Sequence, residues 1–296
     1  MVIRPAEDAD VPSIVALHAA ADDARVISDE GLRHFRRSRP PHARFLELVT
    51  DDGGEIVATG IGGLNISTSV PGAAWGFVTV DAGRRRSGIG SALYARLMEH
   101  MRELEATKVN SFTRYTEEGE RWAFARGFTR AITGPLIAAD PRTIPQPELP
   151  EGFRCMALSE LTAEDLFTVV CEASLDEPSP EPNDKIDFSD FVREWNDPNM
   201  DLTSSGAVLH GDEVVAFAFL KVAGKRAQHG FTGSARAYRG QGLATAAKRF
   251  ALCAAAARGV TRVTTSNAEE NVAMRAINRR LGFEPIGEHV IYERFL

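Results

Sequence analysis

Val78-Thr79-Val80-Asp81-Ala82-Gly83-Arg84-Arg85-Arg86-Ser87-Gly88-Ile89-Gly90-Ser91-Ala92-Leu93 reads as a strand, a basic loop and the start of an amphipathic helix. A second stretch, Thr232-Gly233-Ser234-Ala235-Arg236-Ala237-Tyr238-Arg239-Gly240-Gln241-Gly242-Leu243-Ala244, reads the same way. Arg85, Gly88 and Gly90 align with Arg239, Gly242 and Ala244 at an offset of 154 residues, so both fit Arg-x-x-Gly-x-Gly/Ala. One such segment is compatible with an ordinary helix start; two in register indicate a duplicated unit. Each offers free backbone N–H groups at a helix N-terminus, where the macrodipole favours an anion by roughly 0.3–1 kcal/mol per charge. Glycine keeps the approach clear and admits dihedrals that other residues avoid. Arg85 and Arg239 add charge-assisted contacts to phosphate oxygens.

The repeat extends outward. Ile3-Arg4-Pro5 and the helix-like Val11 to Leu17 parallel Phe153-Arg154-Cys155 and Leu161 to Phe167. Arg126-Gly127-Phe128 parallels Leu281-Gly282-Phe283. Between the copies, 140–152 holds Pro141, Pro145, Pro147 and Pro150, which reads as a stiff exposed linker. The expected domains are 1–147 and 148–296, in keeping with a chain of 296 residues. In each half, a hairpin (Phe45 to Thr50 with Glu55 to Leu64 across Asp52-Gly53-Gly54; Ala207 to His210 with Glu213 to Val222 across Gly211-Asp212) precedes the loop strand. Helical stripes follow, Ile89, Leu93, Leu97 and Met101 in one copy and Leu243, Ala247, Phe250 and Ala254 in the other. Strands at Lys108 to Thr113 and Arg262 to Ser266, helices at Gly119 to Arg126 and Val272 to Leu281, and a last strand at Glu288 to Phe295 complete the plan. The fold class is α/β (α+β), each half a mixed, mostly antiparallel sheet flanked by helices.

A hydrophobic fraction of 44% and a charged fraction of 25% are those of a globular protein. The start lacks an apolar signal region and no run approaches a membrane span, so a cytoplasmic location is expected, with no membrane partner. Cys155, Cys171 and Cys253 lack metal-type spacing, so reduced thiols and no metal are expected. A net charge of −7 argues against nucleic acid and mildly favours a cationic small molecule. Neither loop has the third glycine and distal acid of a dinucleotide fold, nor the Gly-Lys-Ser/Thr of a kinase-type phosphate loop.

The element order and the doubled loop resemble the GNAT superfamily of N-acetyltransferases, in two tandem copies covering nearly the whole chain. The resemblance implies that the loop strand and the next strand splay apart to admit the pantetheine arm of acetyl-CoA. It places Val78, Val80, Arg85, Arg86, Ser87, Gly88, Ile89 and Gly90 along the cofactor in the first half. In the second half it places Thr232, Ser234, Arg239, Gly240, Gln241, Gly242, Leu243, Ala244 and Asn271 there. The activity implied is acetyl transfer from acetyl-CoA to a primary amine by direct attack.

The family often supplies a tyrosine as proton donor to the leaving thiolate, at the position of Asn278 in the second half and Ala123 in the first. Asn278 retains hydrogen-bonding capacity and Ala123 has none, so catalysis is expected in the second half and the first half is expected to be degenerate. His229 on the loop strand is the candidate base and Tyr292 a substitute donor. The acid-rich stretch Ser174 to Asp201 suggests a lid for a cationic amine, whereas the first half is basic there, with Arg33, Arg36, Arg37, Arg39 and Arg44. Alternatives are a non-catalytic CoA sensor or scaffold and a peptide or protein N-acetyltransferase. A monomer with pseudo-twofold halves and a homodimer are both compatible with the sequence.

Overall fold

The computed structural model describes residues 1–296. The first repeat runs β1 (Val2–Pro5), α1 (Val11–Ala21), α2 (Asp29–Arg37), β2 (Leu46–Asp52), β3 (Glu55–Leu64), β4 (Ala73–Val80), α3 (Ile89–Glu103), β5 (Lys108–Arg114), α4 (Glu117–Phe124) and β6 (Thr129–Ala139). The second runs β7 (Phe153–Ala157), α5 (Ala163–Ser174), α6 (Phe188–Trp195), β8 (Gly206–His210), β9 (Glu213–Ala223), β10 (Arg226–Ser234), α7 (Leu243–Ala257), β11 (Arg262–Ser266), α8 (Val272–Arg280) and β12 (Glu284–Phe295). No helix is long and apolar enough to cross a membrane.

Local chemistry explains most boundaries. Gly53 and Gly54, at φ 68° and 95°, close the β2–β3 hairpin, and Asp51 Oδ1 accepts from the Gly54 amide at 2.7 Å. Thr116 and Asn271 cap α4 and α8 with side-chain oxygens that accept from Gly119 and Met274 amides. The apolar stripe of α3 is buried: Ile89, Leu93 and Leu97 pack on Leu48, Val57 and Ala58, with Val78 and Val80 at the edge. Each such side chain contributes roughly 1.5–3 kcal/mol when fully buried.

The chain forms two compact units, and they do not follow a single cut near residue 148. Unit 1 comprises Met1–Gly134, Ser179–Lys185 and Glu288–Leu296; unit 2 comprises Pro135–Pro178 and Ile186–Gly287. In unit 1 the strand order is β1-β2-β3-β4-β5 with the end of β12 beside β5, antiparallel, Tyr292 opposite Ser111 and His289 opposite Arg114. In unit 2 the order is β7-β8-β9-β10-β11 with the end of β6 beside β11. The last strand of each repeat therefore completes the sheet of the other. Both repeats end in an amphipathic strand, and alternation fixes which face is buried without fixing which neighbour is paired.

Two expectations are corrected here. The segment expected to be an exposed linker is partly buried: Pro141 is covered, and Ile144 joins the unit 2 core with Ile137 and Ala139. Part of the acidic stretch also leaves its own repeat, since Glu181 accepts from Asn110 Nδ2 at 2.6 Å in unit 1 and pairs with Lys108.

Candidate functional site

The two glycine loops share one backbone conformation. Gly88 and Gly242 sit at φ 86° and 80° as the N-caps of α3 and α7, and neither helix start receives a side-chain cap. Two residues earlier, Gly240 takes φ 79° and Arg86 takes φ 64°, so loop 1 holds an arginine in the left-handed region where loop 2 uses glycine. Such a conformation costs a non-glycine residue on the order of 1–3 kcal/mol and turns successive amides toward one concavity, suited to an anion. The Leu243 and Ile89 side chains are buried, which leaves their backbone amides as the groups available to a ligand. Gly90 is held close: an added Cβ would lie 3.3 Å from the Val80 side chain.

In both units the loop strand parts from its parallel neighbour. β4 pairs with β5 only as far as Trp75 opposite Asn110, although the strands continue to Val80 and Arg114. β10 pairs with β11 only to Gln228 opposite Thr264. The expected splay is thus present twice.

In unit 1 the splay opens into a cavity of about 430 Å³. Val78, Thr79 and Val80 line one wall, the loop from Arg84 to Arg86 with Gly88 to Ser91 its end, and Thr113, Arg114, Thr116, Glu118, Gly119 and Trp122 the other, with Ala21 from α1. Arg85 and Arg86 reach Glu118 only at 3.5 and 3.4 Å through exposed side chains. Pairs of that kind are worth about 0–1 kcal/mol and are readily exchanged for another anion. The Ser87 hydroxyl donates to the Arg84 carbonyl at 2.6 Å.

In unit 2 the equivalent arginine is already matched. Asp176 stands 2.9 Å from Arg236 and 2.7 Å from Arg239, and these hydrogen bonds hold its carboxyl down at about 2. Gln241 is exposed, Thr232 is buried with its hydroxyl 3.4 Å from His229 Nδ1, and Ser234 is half-buried at the strand end. Asn271 spends its side-chain oxygen as the cap of α8.

The expected catalytic groups are distributed differently. His229 lies on β10 at a register shift between His229 and Thr232, is 3% exposed, and leaves Nε2 without a partner. Burial, reinforced by the nearby Lys248 charge, lowers its pKa well below the usual histidine value. Asn278 is also buried; it donates to Asn267 Oδ1 and accepts from Lys248 Nζ, both at 2.5 Å. Lys248 escaped the sequence reading although it directly follows Ala247 and precedes Ala251, both core residues of α7. Tyr292 requires a correction of place. It belongs to unit 1 because β12 pairs with β5, and its hydroxyl donates to Glu120 at 3.4 Å. Burial and the Glu120 charge raise it to about 12.

Lys248 makes unit 2 pH-sensitive. Burial lowers its ammonium to about 7 from 10.5, so between those values the folded protein binds fewer protons than the unfolded chain, and stability rises with pH. Urea unfolding followed through Trp195, with Trp75 and Trp122 replaced by phenylalanine, is expected to show that rise, on the order of a few kcal/mol. Lys248→Met should flatten it; an unchanged slope would refute the assignment.

The acidic stretch is not a free acidic face. Asp184 accepts from Ser69, Asp187 caps α6, Asp190 pairs with Arg193, Asp197 with Lys221 and Asp201 with Arg258. In the basic segment, Arg36 and Arg39 hold the buried Glu47, and Arg33 holds Asp8.

A second histidine site in unit 1 was not legible beforehand. His289 Nε2 stands 2.9 Å from Asp22 Oδ2, its Nδ1 is buried without a partner, and the residue opposite it on β5, Arg114, lines the cavity.

The acetyltransferase (GNAT) family model matches residues 14–128 and again 165–283. Among solved structures, the chain resembles a tandem GNAT protein from the clavulanic acid biosynthesis pathway, at 22% identity and TM-score 0.76, over 99% of this chain and 98% of that one. It also resembles a GCN5-related N-acetyltransferase from Sphaerobacter thermophilus, at 20% identity and TM-score 0.73, over 99% and 95% of the two chains. At such identity the likeness is one of fold. No curated protein matches the chain. Both halves match the family model, and the chain belongs to the acetyltransferase (GNAT) family.

Proposed function

We propose that this GNAT-family chain moves an acetyl group from acetyl-CoA to a primary amine, and that the N-terminal unit holds the cofactor. The observation that carries the assignment is the unit 1 cavity, which joins the splayed strands to the uncapped loop. The residues suit the cofactor. An added Cβ at Gly88 would meet nothing within 4 Å, so the space beside the loop is open there, and Arg85 and Arg86 line the same cavity. Val78 and Val80 present strand backbone that β5 leaves unpaired.

The acceptor nitrogen forms a bond to the acyl carbon, the carbon–sulfur bond breaks, and the proton lost by the amine balances the one gained by the thiolate. Releasing that proton from a lysine-like amine at pH 7 costs about 4–5 kcal/mol. The unpartnered Nδ1 of His289, with Asp22 orienting the ring, is a base for that step in unit 1. A thiol-release assay with acetyl-CoA and a mixed pool of primary amines tests the activity. Turnover that falls in His289→Gln while acetyl-CoA still binds is the expected result; cofactor binding with no thiol release from any amine would favour a sensor or scaffold.

Turnover in the C-terminal unit is the second reading, favoured by the strand irregularity at His229 and its free Nε2. A bulge of this kind re-aims a side chain beside a site. Against it stands the Asp176 carboxylate on Arg239. The acceptor expected from the sequence, a cationic small molecule, draws less support, because most of the acids proposed to attract it have local partners.

A further inference from the structure

Arg25 follows α1 in unit 1, four residues after Ala21, which lines the cavity. Its guanidinium lies 5.2 Å from the centre of the Phe77 ring, is partly buried, and makes no hydrogen bond or ion pair. Several other arginines of this unit are matched: Arg33 with Asp8, Arg36 and Arg39 with Glu47, Arg114 with Asp23. Burial depresses the Arg25 pKa, and the more distant Asp22 charge only partly opposes it. A partly buried guanidinium with no partner in the protein leaves its fork of donors open to an anion, and that planar fork matches a carboxylate.

The position says which molecule would bring that anion. Val78 and Val80 pack toward α3, while Phe77 and Thr79 alternate to the other face of β4. On that face the His18 ring meets Phe77 edge-on at 5.4 Å, and His18 Nδ1 lies 3.4 Å from the Thr79 hydroxyl. Burial and the Arg25 charge lower His18 to about 4, so it stays neutral and does not compete for an anion. Thr79 and Ala21 border the cavity, and Arg25, Phe77 and His18 stand behind those two residues, next to the cavity but outside its lining.

We propose that Arg25 binds a carboxylate on the reacting molecule, so that the N-terminal unit acts on a substrate bearing a carboxylate close to the transferred acyl group. This rests on reading the unit 1 cavity as the cofactor site. Two sources carry the same chemistry: an amino-acid acceptor, or an acyl group that ends in a second carboxylate.

The test is calorimetric titration of the full chain. One arm uses glutamate, ornithine and alanine against their primary amides, with and without acetyl-CoA. The other uses succinyl-CoA against butyryl-CoA. The expected result is at least tenfold preference for the acid in one arm, lost in Arg25→Gln and partly kept in Arg25→Lys, with both variants folded by tryptophan fluorescence. The arm that shows the preference identifies the source. Equal binding of acid and neutral partner in both arms, or a preference that survives in Arg25→Gln, overturns the proposal. Wild-type protein that binds acetyl-CoA yet treats acids and amides alike sinks the Arg25 inference alone. Protein that selects carboxylates but binds no acetyl-CoA sinks the cofactor reading alone.

Discussion

Gly88→Val is expected to weaken acetyl-CoA binding by at least about 100-fold, or ~2.7 kcal/mol, in isothermal titration of the full chain. Gly88 sits at φ 86°, where a β-branched residue is strained, and its missing Cβ points into the space that borders the loop. The backbone cost, on the order of 1–2 kcal/mol, falls within the stability of a whole domain, so the variant should stay folded. Gly242→Val is the matched control. It has the same conformation, φ 80°, and equally open surroundings, but Asp176 already holds the adjacent arginine. Binding that survives Gly88→Val and disappears in Gly242→Val would move the cofactor to the C-terminal unit and sink the assignment made here.

Removing Glu288–Leu296 should unfold the N-terminal unit, although the deleted residues lie at the far end of the chain. They supply the strand beside β5, with Val290 and Tyr292 at 0% and 2% exposure. Two fully buried side chains are worth roughly 1.5–3 kcal/mol each. The ladder from His289 to Phe295 adds net hydrogen bonds of about 1 kcal/mol apiece. Together these rival the 5–15 kcal/mol, roughly, that holds a domain folded. Hydrogen exchange should show β3 and β4 unprotected in the truncated chain while β8 and β9 remain protected. Retention of unit 1 protection would mean that another strand fills the vacancy.

The parts of the fold that were legible in the sequence are those set by neighbours along the chain. The glycine turns at Gly53-Gly54 and Gly211 and the buried stripe of α3 each follow from a few adjacent residues. Helix α2 was not anticipated: Asp29–Arg37 carries charge on most positions and buries only Gly31 and Leu32. Strand β6 was missed as well, and the partner of β12 was not foreseen, because a strand's alternation does not name its neighbour. That single gap misplaced Tyr292. Arg25 and Lys248 look like ordinary surface charges in one dimension; their surroundings, Phe77 for one and Asn278 with Phe283 for the other, come from distant segments.

From the linear chain alone came the duplication, the two glycine loops at helix starts and the family. These rest on backbone dihedrals that few residues besides glycine adopt freely and on helix ends whose amides have no internal partner. Tertiary structure alone decided which strand closes each sheet and which loop is left without a tight carboxylate partner. Both outcomes depend on contact free energies between residues remote in the chain, and no local pattern encodes them.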